Sequence, residues 1–138
     1  MTTAADGVSE TLDALHKAAS EGDYDLYMSL FAPDSVYMGT DMTERWPIDE
    51  FARYVKRRFD ANNTWDYKPQ ERHISVSECG KTAWFDEVLS HRLGGARGVG
   101  TLINRDGKWL IAMYQLTFPI PNRIFAPTLQ IFKEVPMG

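Results

Sequence analysis

Residues 20–46, SEGDYDLYMSLFAPDSVYMGTDMTERW, constrain the fold more than any other stretch of the chain. Gly22 is a favourable residue for a helix end, since glycine takes a positive φ without steric cost. Asp23 can then cap a second, short helix, and Pro33 blocks its continuation. The apolar run from Val36 to Met38 follows and predicts a strand that enters a polar turn.

The flanking residues extend this order of elements. Apolar residues recur at helical spacing over about residues 8–20, and Pro47 is a favoured first residue for a third helix. Gly94-Gly95 and Asp106-Gly107 are predicted hairpin turns. The predicted strands after the helices are 64–77, 81–93, 96–105 and 108–118. This order predicts an α+β domain of three helices and an antiparallel sheet, with the first short strand at an edge.

Composition limits the classes of function. The 138 residues are 43% hydrophobic, which fits one domain with a substantial core. The net charge of −4 and the scattered basic residues argue against nucleic acid as a partner. Residues 1–6 lack the pattern of a signal peptide, and no apolar run approaches the ~20 residues that cross a bilayer. Cys79 is the single cysteine, so we expect no internal disulfide and a cytoplasmic location.

Several short motifs resemble, in order, those of SnoaL-like domains in the nuclear transport factor 2-like (NTF2-like) superfamily. They are FAPDSVYMGTDMTERW at 31–46, AWFDE at 83–87, RGVG at 97–100, GKWLI at 107–111, QL at 115–116 and PN at 121–122. The resemblance covers about residues 8–122 of the single predicted domain, 1–138, and leaves 123–138 as a C-terminal extension. It implies an NTF2-like cone, in which three N-terminal helices pack on a strongly curved antiparallel β-sheet around a cavity.

The two predicted hairpins assign side chains to faces of the sheet, because directly opposed residues share a face. The inner face then carries Phe85, Glu87, Leu89, His91, Gly98, Gly100, Leu102, Trp109, Ile111, Met113 and Gln115. Three helices can cover only one face, yet both are apolar. We therefore expect a homodimer through the outer face, which carries Val99, Leu110, Tyr114 and Leu116. The mid-strand glycines indicate a bend or an open space.

Charged residues in the predicted sheet are the candidates for chemistry. Glu87 and Arg72 share the inner face, where they could bind a polar ligand group or form a structural ion pair. His91 is a candidate for proton transfer because of its intrinsic pKa, and Asp41 follows a strand that ends at the mouth of the cone. The predicted catalytic residues are therefore Glu87, His91 and Asp41.

The resemblance adds a comparison with enzymes of the superfamily. Ketosteroid isomerase-like members use an Asp base with a Tyr and a protonated Asp, and limonene epoxide hydrolase-like members use an Asp-Arg-Asp set. Glu87, Arg72 and Asp41 match neither arrangement residue by residue.

Two functions remain open from the sequence. The first is a site for a small semi-apolar molecule, as a binding protein or as an isomerase, cyclase or hydrolase. Its predicted lining is Tyr37, Trp46, Phe59, Trp65, Arg72, Phe85, Met113 and Gln115. The second is a non-catalytic dimerisation or ligand-binding module. No metal-ligand spacing, phosphate loop or dinucleotide fingerprint is present, so we expect neither a metal nor a cofactor.

Overall fold

The first helix ends and the second helix begins where the sequence predicts a cap, although the first helix begins at Ala4, earlier than predicted. The computed structural model describes residues 2–135. Helix α1 spans Ala4–Glu21 and ends at Gly22, which has a φ of 68°. Helix α2 spans Tyr24–Ser29, and the Asp23 carboxylate caps it by accepting from the amide of Leu26 at 3.2 Å. The predicted helix end and cap are confirmed.

Six strands and two further helices complete the fold. They are β1 (Phe31–Met38), β2 (Arg45–Pro47), α3 (Ile48–Asp60), β3 (Lys68–Val76), β4 (Thr82–His91), β5 (Gly94–Arg105), β6 (Lys108–Thr117) and α4 (Phe125–Lys133). The strand order is β2-β1-β6-β5-β4-β3. Adjacent strands run antiparallel except β1 and β6, which are parallel. The predicted α+β class, with N-terminal helices on a curved sheet, is confirmed.

The edge of the sheet differs from the prediction. β1 begins at Phe31 rather than at Val36, and the unpredicted strand β2 covers its outer edge. Pro33 therefore lies inside a strand, between the paired residues Phe31 and Val36, where the β1–β6 register is interrupted. Proline has no N–H to donate to a ladder, and it is tolerated here because the ladder is interrupted at this position.

The β4–β5 hairpin turns at Arg92-Leu93 and not at Gly94-Gly95, since His91 pairs with Gly94. Glu87 consequently lies opposite Gly98, whereas the predicted partner was Leu102. The shift is an even number of residues. Because side chains alternate with a period of two, β4 and β5 keep their predicted faces.

The β5–β6 hairpin turns at Asp106-Gly107, as predicted, but contains a β-bulge. Leu102 pairs with Ile111, whereas Thr101 pairs with Met113, so Ala112 is an extra residue in β6. Beyond the bulge the faces of β6 are exchanged. Tyr114 and Leu116 are therefore buried inside, and Met113 and Gln115 lie on the outer face. The sequence-based assignment of these four residues was wrong.

A glycine in β5 makes room for the bulge. A Cβ atom at Gly100 would overlap the backbone carbonyl of Met113 and press against the ring of Phe85. The backbones of β5 and β6 approach each other closely here, which only glycine permits. The sequence predicted a bend or an open space at the mid-strand glycines, whereas at Gly100 the structure shows a close approach of two backbones beside the bulge.

Helices α1 and α3 cover the inner face of the sheet. Val8, Leu12, Phe51 and Val55 from the helices are buried, and so is Leu102 beneath them. In the described part of the chain, no helix combines the length and the apolar character needed to cross a bilayer.

We predict that Gly100→Ala destabilises the fold by ~1–3 kcal/mol, because the added methyl group must displace backbone or the Phe85 ring. Gly95→Ala, in the same strand, is the control, since its Cβ would meet no atom within 4 Å. Urea unfolding of the two variants measures the difference. Equal stability of the two would contradict the dependence of the bulge on Gly100.

Candidate functional site

A buried carboxylate, that of Glu87 in β4, lies at the base of the cone. The side chain is 1% exposed and accepts three hydrogen bonds. His16 Nε2 lies 2.6 Å and the Tyr114 hydroxyl 3.0 Å from Oε1, and Arg72 Nε lies 2.8 Å from Oε2. Burial alone would raise the pKa of Glu87, but His16 and Arg72 outweigh it and hold that pKa below its ordinary value.

Arg72 connects this carboxylate to helix α1. Its Nη1 atom donates to Asp13 Oδ1 and to the hydroxyl of Ser9, each at 2.8 Å. Its Nη2 atom is buried and has no protein partner among the described residues. Burial lowers the pKa of Arg72, but the hydrogen bond to Asp13 and the charge of Glu87 more than compensate. The ion pair predicted between Arg72 and Glu87 is confirmed.

Two members of this network, His16 and Tyr114, escaped sequence reasoning. His16 lies one helical turn after Leu12 on the buried face of α1. A histidine at such a position needs a partner, but its partner lies 71 residues away. Tyr114 was assigned to the opposite face because the bulge in β6 was not foreseen. Burial and the nearby charge of Glu87 raise the pKa of Tyr114 well above its ordinary value. The hydroxyl therefore stays protonated and donates a hydrogen bond to the carboxylate.

Gly98 allows the tyrosine to reach the carboxylate. A Cβ atom at this position would overlap the Tyr114 hydroxyl and lie 3.3 Å from Glu87 Cγ. The strand that faces Glu87 must therefore lack a side chain at this point.

A cavity of about 180 Å³ opens at the wide end of the cone. It is lined by Tyr37, Gly39, Thr40, Glu44, Trp46, Phe51, Tyr54, Arg58, Trp65, Tyr67, Leu116 and Phe118. A second space of about 20 Å³ lies next to it, with Tyr37, Trp65, Tyr67 and Leu116 in both linings. This inner space also touches His16 and Tyr114, so it leads from the mouth cavity toward the buried network.

Stacked aromatic rings fill much of the cone between the mouth and the network. The Tyr37 ring lies between those of Phe51 and Tyr114, at centroid distances of 4.1 and 5.5 Å and with interplanar angles of 7°. Trp46 packs edge-on against Tyr54 at 4.2 Å. These contacts restrict the free volume to the mouth.

The mouth cavity is lined by aromatic side chains and by several polar and charged groups. Burial, followed by the neighbouring phenols Tyr67 and Tyr54, raises the pKa of Tyr37, and burial also raises the pKa of Tyr67. Both phenols are therefore neutral at pH 7 and able to donate a hydrogen bond. Arg58 supplies a positive charge to the same lining.

The predicted ligand-binding residues separate into three groups. Tyr37, Trp46 and Trp65 line the mouth cavity. Three others, Phe59, Phe85 and Arg72, lie behind the cavity. The ring centroid of Phe59 is 5.5 Å from that of Trp65, and the ring centroid of Phe85 is 5.7 Å from that of Tyr114. Arg72 belongs to the Glu87 network. Met113 and Gln115 face away from the cavity because of the bulge, which corrects their predicted inward orientation.

The three predicted catalytic residues lie apart. Glu87 is enclosed by its hydrogen-bond donors and lines neither cavity. His91 stacks on the Tyr67 ring at 4.8 Å, in a separate cleft at the end of β4. Asp41 is exposed in the β1–β2 turn, where hydrogen bonds from Thr43 lower its pKa and occupy its carboxylate.

The cavity residues that the sequence did not single out include Tyr54, Arg58, Tyr67 and Phe118. Within residues 2–135 no group of three or more His, Cys, Asp or Glu side chains could hold a metal ion.

We predict that Glu87→Gln lowers the free energy of unfolding at pH 7 by roughly 3–5 kcal/mol, because Arg72 loses its buried countercharge. Asp86→Asn is the matched control. Its side chain is exposed on the outer face, so we expect a change within about 0.5 kcal/mol. Chemical denaturation measures both variants, and equal stabilities at pH 7 would contradict a structural role for the network.

The pH dependence of stability gives a second measurement on the same variants. The pKa of Glu87 is lower in the folded state than its ordinary value of 4.5. Its stabilising contribution is therefore complete above that value and is lost as the pH falls through the folded pKa. The stability difference between wild type and Glu87→Gln should be constant well above pH 4.5 and should narrow as the pH falls below that value.

Solved structures with the same fold come from several bacteria. An NTF2-like protein of unknown function from Pseudomonas putida KT2440 has a TM-score of 0.70 and 10% identity, over 83% of this chain and 86% of that one. A proposed dehydratase of the NTF2-like family from Streptomyces avermitilis has a TM-score of 0.70 and 13% identity, over 86% and 97%. A protein of unknown function with a cystatin-like fold from Nostoc punctiforme has a TM-score of 0.59 and 15% identity, over 80% and 86%.

No curated protein matches this sequence. The model of one protein family, described as the SnoaL-like domain, matches residues 8–121. That range includes most of helix α1, the whole of α3, strands β1 to β6 and the network around Glu87. The solved structures show that the chain has an NTF2-like fold, and the family model shows that it belongs to the SnoaL-like domain family.

Proposed function

We propose that this protein binds a small planar molecule, about one aromatic ring in size, in the mouth cavity. The observation that carries the proposal is the lining itself, in which aromatic side chains surround a few polar groups. Ligand sites in proteins combine these features, with polar groups that orient the bound molecule.

The size of the cavity limits the ligand. An engineered apolar cavity of about 150 Å³ accepts benzene. The mouth cavity, at about 180 Å³, therefore accommodates one ring with one or two small substituents. The adjoining 20 Å³ matches about one water molecule in size. A fused or multi-ring molecule would not fit without movement of the stacked rings.

The geometry supports binding better than acid–base catalysis. A general base must reach the proton that it abstracts, yet Glu87 accepts three protein hydrogen bonds and lines no cavity. The Tyr114 hydroxyl donates its hydrogen bond to Glu87 and not to a group in the cavity. We assign Glu87 a positioning role, in which it holds His16 and Tyr114 behind the mouth. The proposed dehydratase from Streptomyces avermitilis shares the fold, but a fold alone does not carry a reaction.

We predict that Trp46→Ala changes the size selectivity of the cavity. Wild type should bind benzamide and should bind 2-naphthamide only weakly. Trp46→Ala should bind 2-naphthamide at least about tenfold more tightly than wild type does. A second ring buried in the enlarged cavity contributes more than the ~1.4 kcal/mol that a tenfold change requires. Isothermal titration calorimetry measures both ligands.

The control is Trp84→Ala, which removes the same side chain from the outer face of the sheet, where it is 51% exposed. Its affinities should equal those of wild type. Absence of benzamide binding and of binding by any other one-ring aromatic compound would overturn the proposed function.

We also propose a homodimer through the outer face of the sheet. The corrected register leaves Val99 and Leu110 on this face and adds Met113, while Tyr114 and Leu116 belong to the interior. Trp84 of β4 lies on the same face and is 51% exposed. Helix α4 supports an association, because none of its residues is buried and Phe125, Ile131 and Phe132 are about half exposed. Exposed apolar patches of this kind typically mark interaction surfaces.

We predict that Trp84→Asp weakens the dimer by about tenfold or more, since tryptophans are frequent sources of interface energy. Leu93→Asp is the control: Leu93 is 78% exposed in the β4–β5 turn, outside the proposed interface. Sedimentation velocity over a concentration series measures the dissociation constant. A wild-type protein that is monomeric at micromolar concentration would contradict the dimer.

A cytoplasmic location is a further proposal. Its support is Cys79, which is free and exposed, as is common for thiols in a reducing compartment.

A further inference from the structure

Arg58 has unusual surroundings for a helix-surface arginine. It lies in the last turn of α3, half-buried, and lines the mouth cavity. The centre of its guanidinium group stacks 4.5 Å from the centroid of the Trp65 ring, and Nη1 donates to the Tyr54 hydroxyl at 3.2 Å. Nε and Nη2 donate to the backbone carbonyl and the side-chain oxygen of Asn63, at 3.3 and 3.0 Å. These contacts hold the charged group at the rim of the cavity.

The charge of Arg58 lacks a protein counterion. Within residues 2–135, no carboxylate forms a salt bridge with it. Three of its five N–H groups are occupied by Tyr54 and Asn63, which leaves two N–H groups free to donate. Charged groups that are partly withdrawn from water favour a partner of opposite charge.

One acidic side chain, Glu44, contributes to the same cavity. Its Oε1 atom accepts from the backbone amide of Asp41 at 2.8 Å, so it is folded onto the β1–β2 turn. A ligand that places its anionic group at Arg58 would turn its other end toward this turn. Asp66 lies beside Arg58 in the neighbouring cleft and forms no ion pair with it.

We propose that the ligand of the mouth cavity is a small aromatic carboxylate. Its carboxylate accepts the free N–H groups of Arg58, and its ring occupies the space between Tyr37, Trp46 and Trp65. Arginine suits this recognition, because its fork of donors matches the two oxygens of a carboxylate. This inference rests on the proposed function, since it names the chemical class of the molecule that the same cavity binds.

A purely structural role for Arg58 makes a different prediction. The bonds to Asn63 stabilise the end of α3, where a positive charge is favourable. If that were its whole function, removing the charge would alter stability but would leave the choice between charged and neutral ligands unchanged. Selectivity between isosteric ligands therefore separates the two roles.

The test compares benzoate with benzamide, which have nearly the same shape but differ in charge. Isothermal titration calorimetry is carried out at pH 7 on wild type, on Arg58→Gln and on Arg57→Gln. Wild type should bind benzoate at least about tenfold more tightly than benzamide, as expected for a charge-assisted hydrogen bond. Arg58→Gln should lose that preference and retain its affinity for benzamide. Arg57→Gln removes the same charge from an exposed neighbour and should keep the preference.

The outcomes distinguish this inference from the proposed function. Equal affinities of wild type for the two probes would overturn the inference and leave the binding function in place. Failure of wild type to bind either probe or any other one-ring compound would overturn both. Retention of the benzoate preference by a folded Arg58→Gln would also overturn the inference. If Arg58→Gln does not fold, Arg58→Lys is used instead, since it keeps the charge but loses the paired donors. Its preference for benzoate over benzamide should be weaker than that of wild type but still present.

Discussion

A charge withdrawn from water needs partners, and in this protein the charge of Glu87 determines how the main layers meet. Its donors come from three separate elements: His16 from α1, Arg72 from β3 and Tyr114 from β6. Removing any one of them would leave part of a buried carboxylate unsatisfied, which is costly. Arg72 extends the network to Asp13 on the surface of α1. The helix is therefore held to the sheet by charge as well as by apolar contacts.

The network depends on two places where the strands approach closely. Gly98 leaves room for the Tyr114 hydroxyl, and Gly100 leaves room for the carbonyl of Met113 at the bulge. The bulge turns Tyr114 inward, so that its ring stacks on Tyr37 while its hydroxyl reaches Glu87. One extra residue in β6 thus connects the buried charge to the aromatic interior of the cone.

The same aromatic packing sets the volume of the mouth cavity, the proposed binding site. Tyr37 stacks on Phe51 and closes the cone from below, so the free volume remains at the mouth. The interior of the cone behind the mouth is occupied by the ionic network around Glu87. Polar recognition is left to the rim, where Arg58 and two neutral phenols contribute donors. This arrangement supports the proposed binding of a small ligand over the transfer of its protons.

Local patterns in the sequence determined the order of the first three helices and of every described strand except β2. They also determined the caps at Gly22 and Asp23, the turn at Asp106-Gly107 and the inward direction of Glu87. Each depends on near neighbours or on strict alternation, which a sequence displays directly. Only the tertiary structure decided the partner of His16, the inward turn of Tyr114 and the position of Arg58 at the cavity. The first joins residues 71 positions apart, and the second requires the backbones of two strands to meet at Gly100. Such close approaches depend on how distant segments of the chain pack, so the alternation of residues along one strand does not predict them.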